Sequence, residues 1–132
     1  MANPNIVNVT SIYGNTAYVL PSSTAVSSSW THNGTTALTG LTPASGSVNK
    51  IDSIVATNTT GSAAAASIAV YSAAALGGTA YYVAYQISVP ANASLIITDK
   101  TTSFYVTENQ SVGATTGTSS ALTFVASFEV IT

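Results

Sequence analysis

The stretch that most constrains this chain is residues 80–111, AYYVAYQISVPANASLIITDKTTSFYVTENQS. Tyr81, Val83, Tyr85, Ile87 and Val89 alternate with Tyr82, Ala84, Gln86 and Ser88. That is the period-two pattern of a strand with one buried face, and it predicts a strand over Ala80–Val89. Pro90 offers no ladder donor and Asn92 tolerates reversal, so the chain turns there. Two β-rich runs follow, Ser94–Thr98 and 103–107, separated by Asp99 and Lys100. Three successive strands with short links predict an antiparallel meander.

The remaining chain reads as further short strands. Residues 5–13 put Val7, Val9 and Tyr13 on one side and Ile6, Asn8, Thr10 and Ile12 on the other. With both faces partly apolar, residues 1–13 are a strand or an extended arm that reaches a neighbouring subunit. Gly14-Asn15 predicts a turn, and 17–20 a short strand stopped by Pro21. Between 22 and 47 large apolar residues are sparse, only Val26, Trp30, Leu38 and Leu41. The expectation is a weak strand over 24–30 and a long loop over 31–47. Loops of that length usually contact something, so Trp30, Leu38 and Leu41 are candidate partner contacts, with partial core burial as the alternative.

Val48–Asn58 is a strand by its β-branched content. Segment 63–76 is ambiguous, because four successive alanines favour a helix while Ile68, Val70 and their neighbours alternate. A strand over 65–72 is preferred, since a helix this short is marginal without caps. Gly77-Gly78 is a hairpin-type turn, Glu108-Asn109 another turn, and 111–115 a strand. The last strand, 121–131, lines up Leu122, Phe124, Ala126, Phe128 and Val130 on one face. About eight strands at regular spacing with no convincing helix predict one all-β domain. The expected fold is a two-sheet antiparallel sandwich, jelly-roll-like, with an immunoglobulin-like sandwich as the alternative.

Composition narrows function. Charged residues are 5% of the chain, namely Lys50, Lys100, Asp52, Asp99, Glu108 and Glu129. Two cations supply no footprint for a nucleic-acid backbone. Little charge also means little repulsion between copies, which favours life in an assembly. Cysteine is absent, which removes disulfides and thiolate metal sites. Met1-Ala2-Asn3-Pro4 reads as a cytoplasmic start, and 63–76 is too short and interrupted to span a membrane. The sequons at Asn8, Asn33, Asn58, Asn92 and Asn109 are therefore discounted as glycosylation sites.

No catalytic constellation emerges, and neither a cofactor nor a metal site is expected. His32, the sole histidine, reads as a loop residue, and Asp99 and Glu108 read as solvated acids in turns. Tyr71, Tyr81, Tyr82 and Tyr85 cluster in sequence; Tyr81, Tyr82 and Tyr85 are assigned to a subunit interface or the core, with an aromatic carbohydrate platform as the other reading.

Three blocks carry a family resemblance: ANPNIVNVTSIYG (2–14), KIDSIVATN (50–58) and ISVPANASLIITDKTTSFYVTENQSV (87–112). Together they resemble small β-rich virion structural proteins of tailed bacteriophages that infect marine cyanobacteria and related hosts. The likeness covers most of the chain outside 21–47 and 113–120. It implies a head-decoration, or cement, protein, made in the host cytoplasm and seated on the outer surface of the head. Its partners would be the major capsid protein and other copies of itself, with a trimer suiting local three-fold positions. Ile6, Val7, Val9 and Ile12 are then the arm's candidate capsid contacts. A tail, neck or fibre-associated protein and a carbohydrate-binding module are the alternatives.

Overall fold

The computed structural model describes residues 8–32 and 36–132. Its elements are β1 (Ile12–Val19), β2 (Ser29–His32), β3 (Thr36–Thr39), β4 (Val48–Asn58), β5 (Ala64–Tyr71), β6 (Ala80–Val89), β7 (Ser94–Thr98), β8 (Phe104–Val106), β9 (Ser111–Thr116) and β10 (Leu122–Ile131). Ala74–Leu76 form a short 3-10 turn between β5 and β6.

The larger sheet runs β3-β2-β1-β10-β4-β7, with β8 also on β4, and the smaller runs β6-β5-β9. Ser27 adds an isolated bridge to Ala114 on the far side of β9. With the Ser27 segment as the second strand, and the β2–β3 hairpin and β8 set aside as additions, the topology is simple. The first, last, third and sixth strands make one sheet; the second, seventh, fourth and fifth make the other. That is the jelly roll. The immunoglobulin-like alternative falls, because there the first and last strands belong to opposite sheets, whereas β1 pairs antiparallel with β10 along its whole length.

The core lies between the sheets. Phe124, Ala126 and Phe128 of β10, Ile51, Ile54 and Ala56 of β4 and Ala17 of β1 meet Ala66 and Ile68 of β5, Val89 of β6 and Val112 and Ala114 of β9. Each large side chain withdrawn from water contributes about 1.5–3 kcal/mol. The alternation of β4 changes phase at Asp52, where a bulge sets Ser53 opposite Ser127 and Ile51 opposite Phe128. One extra residue lets both Ile51 and Ile54 point inward, each with 0% exposure.

Several expectations change. Residues 80–107 are not a meander: β6 pairs with β5, while β7 and β8 lie end to end on the same edge of β4. Nor does β6 have one buried face. It is an edge strand with two bulges, exposed along most of its length and buried at Val89. Gly14-Asn15 lies inside β1 rather than in a turn, held by pairing to Glu129 and Phe128. Residues 31–47 are not one loop, since β2 and β3 pair antiparallel. His32 is accordingly a strand residue, paired with Thr36. In the ambiguous 63–76 segment the strand prevails, with Ala64 and Ala66 buried where the sheets face each other.

The turn after β3 depends on one glycine. Gly40 has φ +61°, and a Cβ there would stand 2.5 Å from the Ser111 Cβ and 3.3 Å from its Cα. Its carbonyl accepts the Val112 N–H at 2.6 Å, tying the hairpin to the smaller sheet. Gly40→Ala is expected to cost about 2–4 kcal/mol, strain and overpacking together, read as a shifted urea midpoint with an unchanged slope. An unchanged midpoint would contradict this close approach.

Candidate functional site

The residues first singled out as contacts separate into three groups. Trp30 and Leu41 are core: both have 0% exposure, and the Trp30 Nε1–H donates to the Val112 carbonyl at 3.0 Å. Leu38 packs partly buried against the same cluster. Of the two readings of these three, contact or partial core burial, the structure takes the core one, because a chain poor in large apolar side chains gains most by drawing them inward. Ile6 and Val7 lie outside the described residues. Val9 is half-buried and Ile12 is 57% exposed. The last residues of the supposed arm, Thr10 and Ser11 just before β1, are fastened down, since the Thr10 N–H donates to the Thr132 carbonyl at 2.7 Å and the Thr132 N–H to the Ser11 carbonyl at 3.0 Å. Tyr81, Tyr82 and Tyr85 are 63%, 54% and 57% exposed, which removes the core half of their assignment.

A surface that the sequence did not suggest lies on the outer face of the larger sheet. The residues flanking Val125 point inward, so Val125 points out, and the register sets Tyr18 and Val55 on either side of it. Ile96 stands opposite Val55. Tyr18, Val125, Val55 and Ile96 thus form an apolar ladder across four adjacent strands, with Ile96 67% exposed.

Beside the ladder lies a charged row. Glu129 pairs in register with Lys50, and Lys50 with Tyr105. The Lys50 Nζ is 3.0 Å from Asp52 Oδ1 and 3.6 Å from Glu129 Oε2. Asp99 and Lys100 close the other side of the same hollow, of about 690 Å³, so five of the six charged residues of the chain line one place. The hydrogen bond to Asp52, then the Asp52 and Glu129 charges, raise the Lys50 pKa above its ordinary 10.5. Any stability gained this way is complete below 10.5 and lost only as pH rises through the higher folded value, so it is constant through neutrality. Hydrogen bonds from Thr101 hold the Asp99 carboxyl below its usual 3.8. That contribution is present above 3.8 and disappears as pH falls through the lower folded value.

A second concavity, about 500 Å³, sits on the outer face of the smaller sheet against Tyr82 and Tyr85. Elsewhere the chemistry is sparse. His32 Nε2 hydrogen-bonds Asn15 Oδ1 at 2.7 Å, and its ring centroid is 6.2 Å from that of Phe128. Glu108 is 9% exposed rather than solvated, and one of its carboxylate oxygens accepts the Gly46 N–H. Among the described residues no three His, Cys, Asp or Glu side chains gather as metal ligands. Among the described residues no helix is long and apolar enough to cross a membrane. Compared with known protein families, curated proteins and solved structures, the chain finds no match.

Proposed function

We propose that this chain is a structural protein of a bacteriophage virion, a decoration protein that binds the outer surface of the head. The observation that carries the proposal is the ladder Tyr18–Val125–Val55–Ile96 beside five of the chain's six charges. A lone soluble domain rarely keeps contiguous apolar residues in water, and such a surface rimmed by polar groups marks a protein contact. The apolar centre supplies burial and the charged row supplies register on the partner. The sequence blocks at 2–14, 50–58 and 87–112 support the virion setting, through their likeness to cyanophage structural proteins. The jelly roll is compatible with this reading and with many others, because a fold does not fix a function.

The mechanism is binding. A domain that seats across the seam between neighbouring major capsid subunits stabilises their contact by the free energy of its own association. Repetition over the lattice turns modest contacts into a large total, more so if the copies associate with one another. The purified protein added to expanded heads that lack it should bind saturably, at a fixed number per capsid subunit, and raise the temperature at which the heads break open. Heads that neither take it up nor gain thermal resistance would remove the decoration reading. Uptake by isolated tails would replace it with the tail or fibre role.

A further inference from the structure

We propose that the concavity on the outer face of the smaller sheet binds a neutral saccharide, with Tyr82 and Tyr85 as the stacking surface. Gln86, Thr24 and Thr115 are its hydrogen-bonding groups. The site begins with the register of β6. In a regular strand Tyr82 and Tyr85, three residues apart, would project from opposite faces. Here Ala84 pairs with Ile68 and Tyr82 with Ala69, which leaves Val83 as an extra residue. Ile87 pairs with Ala66, so Tyr85 and Gln86 together stand opposite Ser67.

These bulges bring both rings to the outer face, where their centroids are 4.6 Å apart and their planes 63° apart. The second bulge is pinned: Gln86 has φ +49°, and its N–H donates to the Ser67 Oγ at 2.8 Å. The pinned backbone therefore sets both rings side by side as two walls of a corner.

The floor of the concavity is low where a ligand would lie. Ala65 and Gly117 are in contact there, and a Cβ on Gly117 would be 3.1 Å from that of Ala65. Thr24 and Thr115 line it as well, and none of the described lining residues is charged. The Gln86 carboxamide and the Thr24 and Thr115 hydroxyls make no hydrogen bond among the described residues, so their donors and acceptors are open to a ligand. A volume of about 500 Å³ falls in the range of small-molecule sites, about 300–1,000 Å³.

Aromatic faces with amide and hydroxyl groups, and no ion, match a pyranose: its C–H face stacks on a ring and its hydroxyls take the hydrogen bonds. An added strand is a poorer occupant, because the bulges interrupt the regular ladder that edge pairing needs.

The test uses the full chain on an array of neutral oligosaccharides built from glucose, galactose, mannose and N-acetylglucosamine, then calorimetric titration of the best binder. Tyr85→Ala and Tyr82→Ala are each expected to weaken binding about tenfold or more. Tyr85→Phe should stay within about threefold, because it keeps the ring. Ile96→Lys, on the opposite sheet, should bind the saccharide as the parent does, while Tyr85→Ala should still bind heads. The two proposals therefore fail separately. The saccharide proposal is overturned by no binding at about 10 mM ligand, by binding confined to charged glycans, or by affinity unchanged in Tyr85→Ala. It is also overturned if Tyr85→Ala dissociates an oligomer and no saccharide binds, which would make this face a contact between copies.

Discussion

Trp30→Ala is expected to destabilise the domain by about 3–5 kcal/mol, the range for emptying a buried tryptophan site. In a domain of this size that is a fall in melting temperature of about 10–20 °C. Two losses combine. The indole has 0% exposure among Leu41, Val112 and the rest of the core, and the Val112 carbonyl loses the Nε1–H donor that it holds at 3.0 Å. Trp30→Phe separates them, since it keeps most of the volume and leaves the carbonyl unpaired, at an expected cost of about 1–3 kcal/mol. Trp30 is the sole tryptophan, so the parent protein carries its own reporter. Its emission should be blue-shifted, resist aqueous quenchers and stay unchanged when heads are added. Quencher-accessible emission, or a stable Trp30→Ala protein that no longer binds heads, would restore the contact role that the sequence suggested.

Ile96→Lys is expected to reduce head binding by about thirtyfold or more while folding stays within about 0.5 kcal/mol of the parent. Ile96 is the most exposed member of the ladder, at 67%, so little core packing is lost. In the complex, however, the substitution would bury an unpaired ammonium at the centre of an apolar contact, and such a charge is costly. Uptake by heads lacking the protein, read with circular dichroism of the free variant, separates binding from folding. Undiminished uptake would mean that the outer face of the larger sheet is not the docking surface.

How much was legible in the sequence depends on whether a property is local. Val48–Asn58, Ala80–Val89 and Ser94–Thr98 begin and end where their residues predict, because β-branched content and the proline and glycine breaks act within a few residues. The inward set of β10, Leu122, Phe124, Ala126 and Phe128, was legible for the same reason. Faces set by pairing were not. The alternation in 80–89 assumes a regular ladder, and two bulges against β5 redirect Tyr82 and Tyr85 to one side.

Trp30 and Leu41 read equally as partner contacts or as core, because serine, threonine and glycine surround them and leave no alternation to choose a face. Those small neighbours are what let sparse large side chains fill the core. The charged hollow was equally hidden, because Lys50 and Asp52 come from β4, Glu129 from β10, and Asp99 and Lys100 from the segment after β7. The Lys50/Asp52 spacing was a partial signal, but nothing local joins it to Asp99.

The proposed role is decoration of a virion head through the outer face of the larger sheet. Cryo-electron microscopy of intact virions, with mass spectrometry to establish that the chain is present, tests it most directly. Density for the jelly roll is expected over the whole head lattice, with Tyr18, Val125 and Ile96 against the major capsid protein and Tyr85 facing solvent. Density confined to the tail or to single vertices, or a chain absent from the particle, would contradict it.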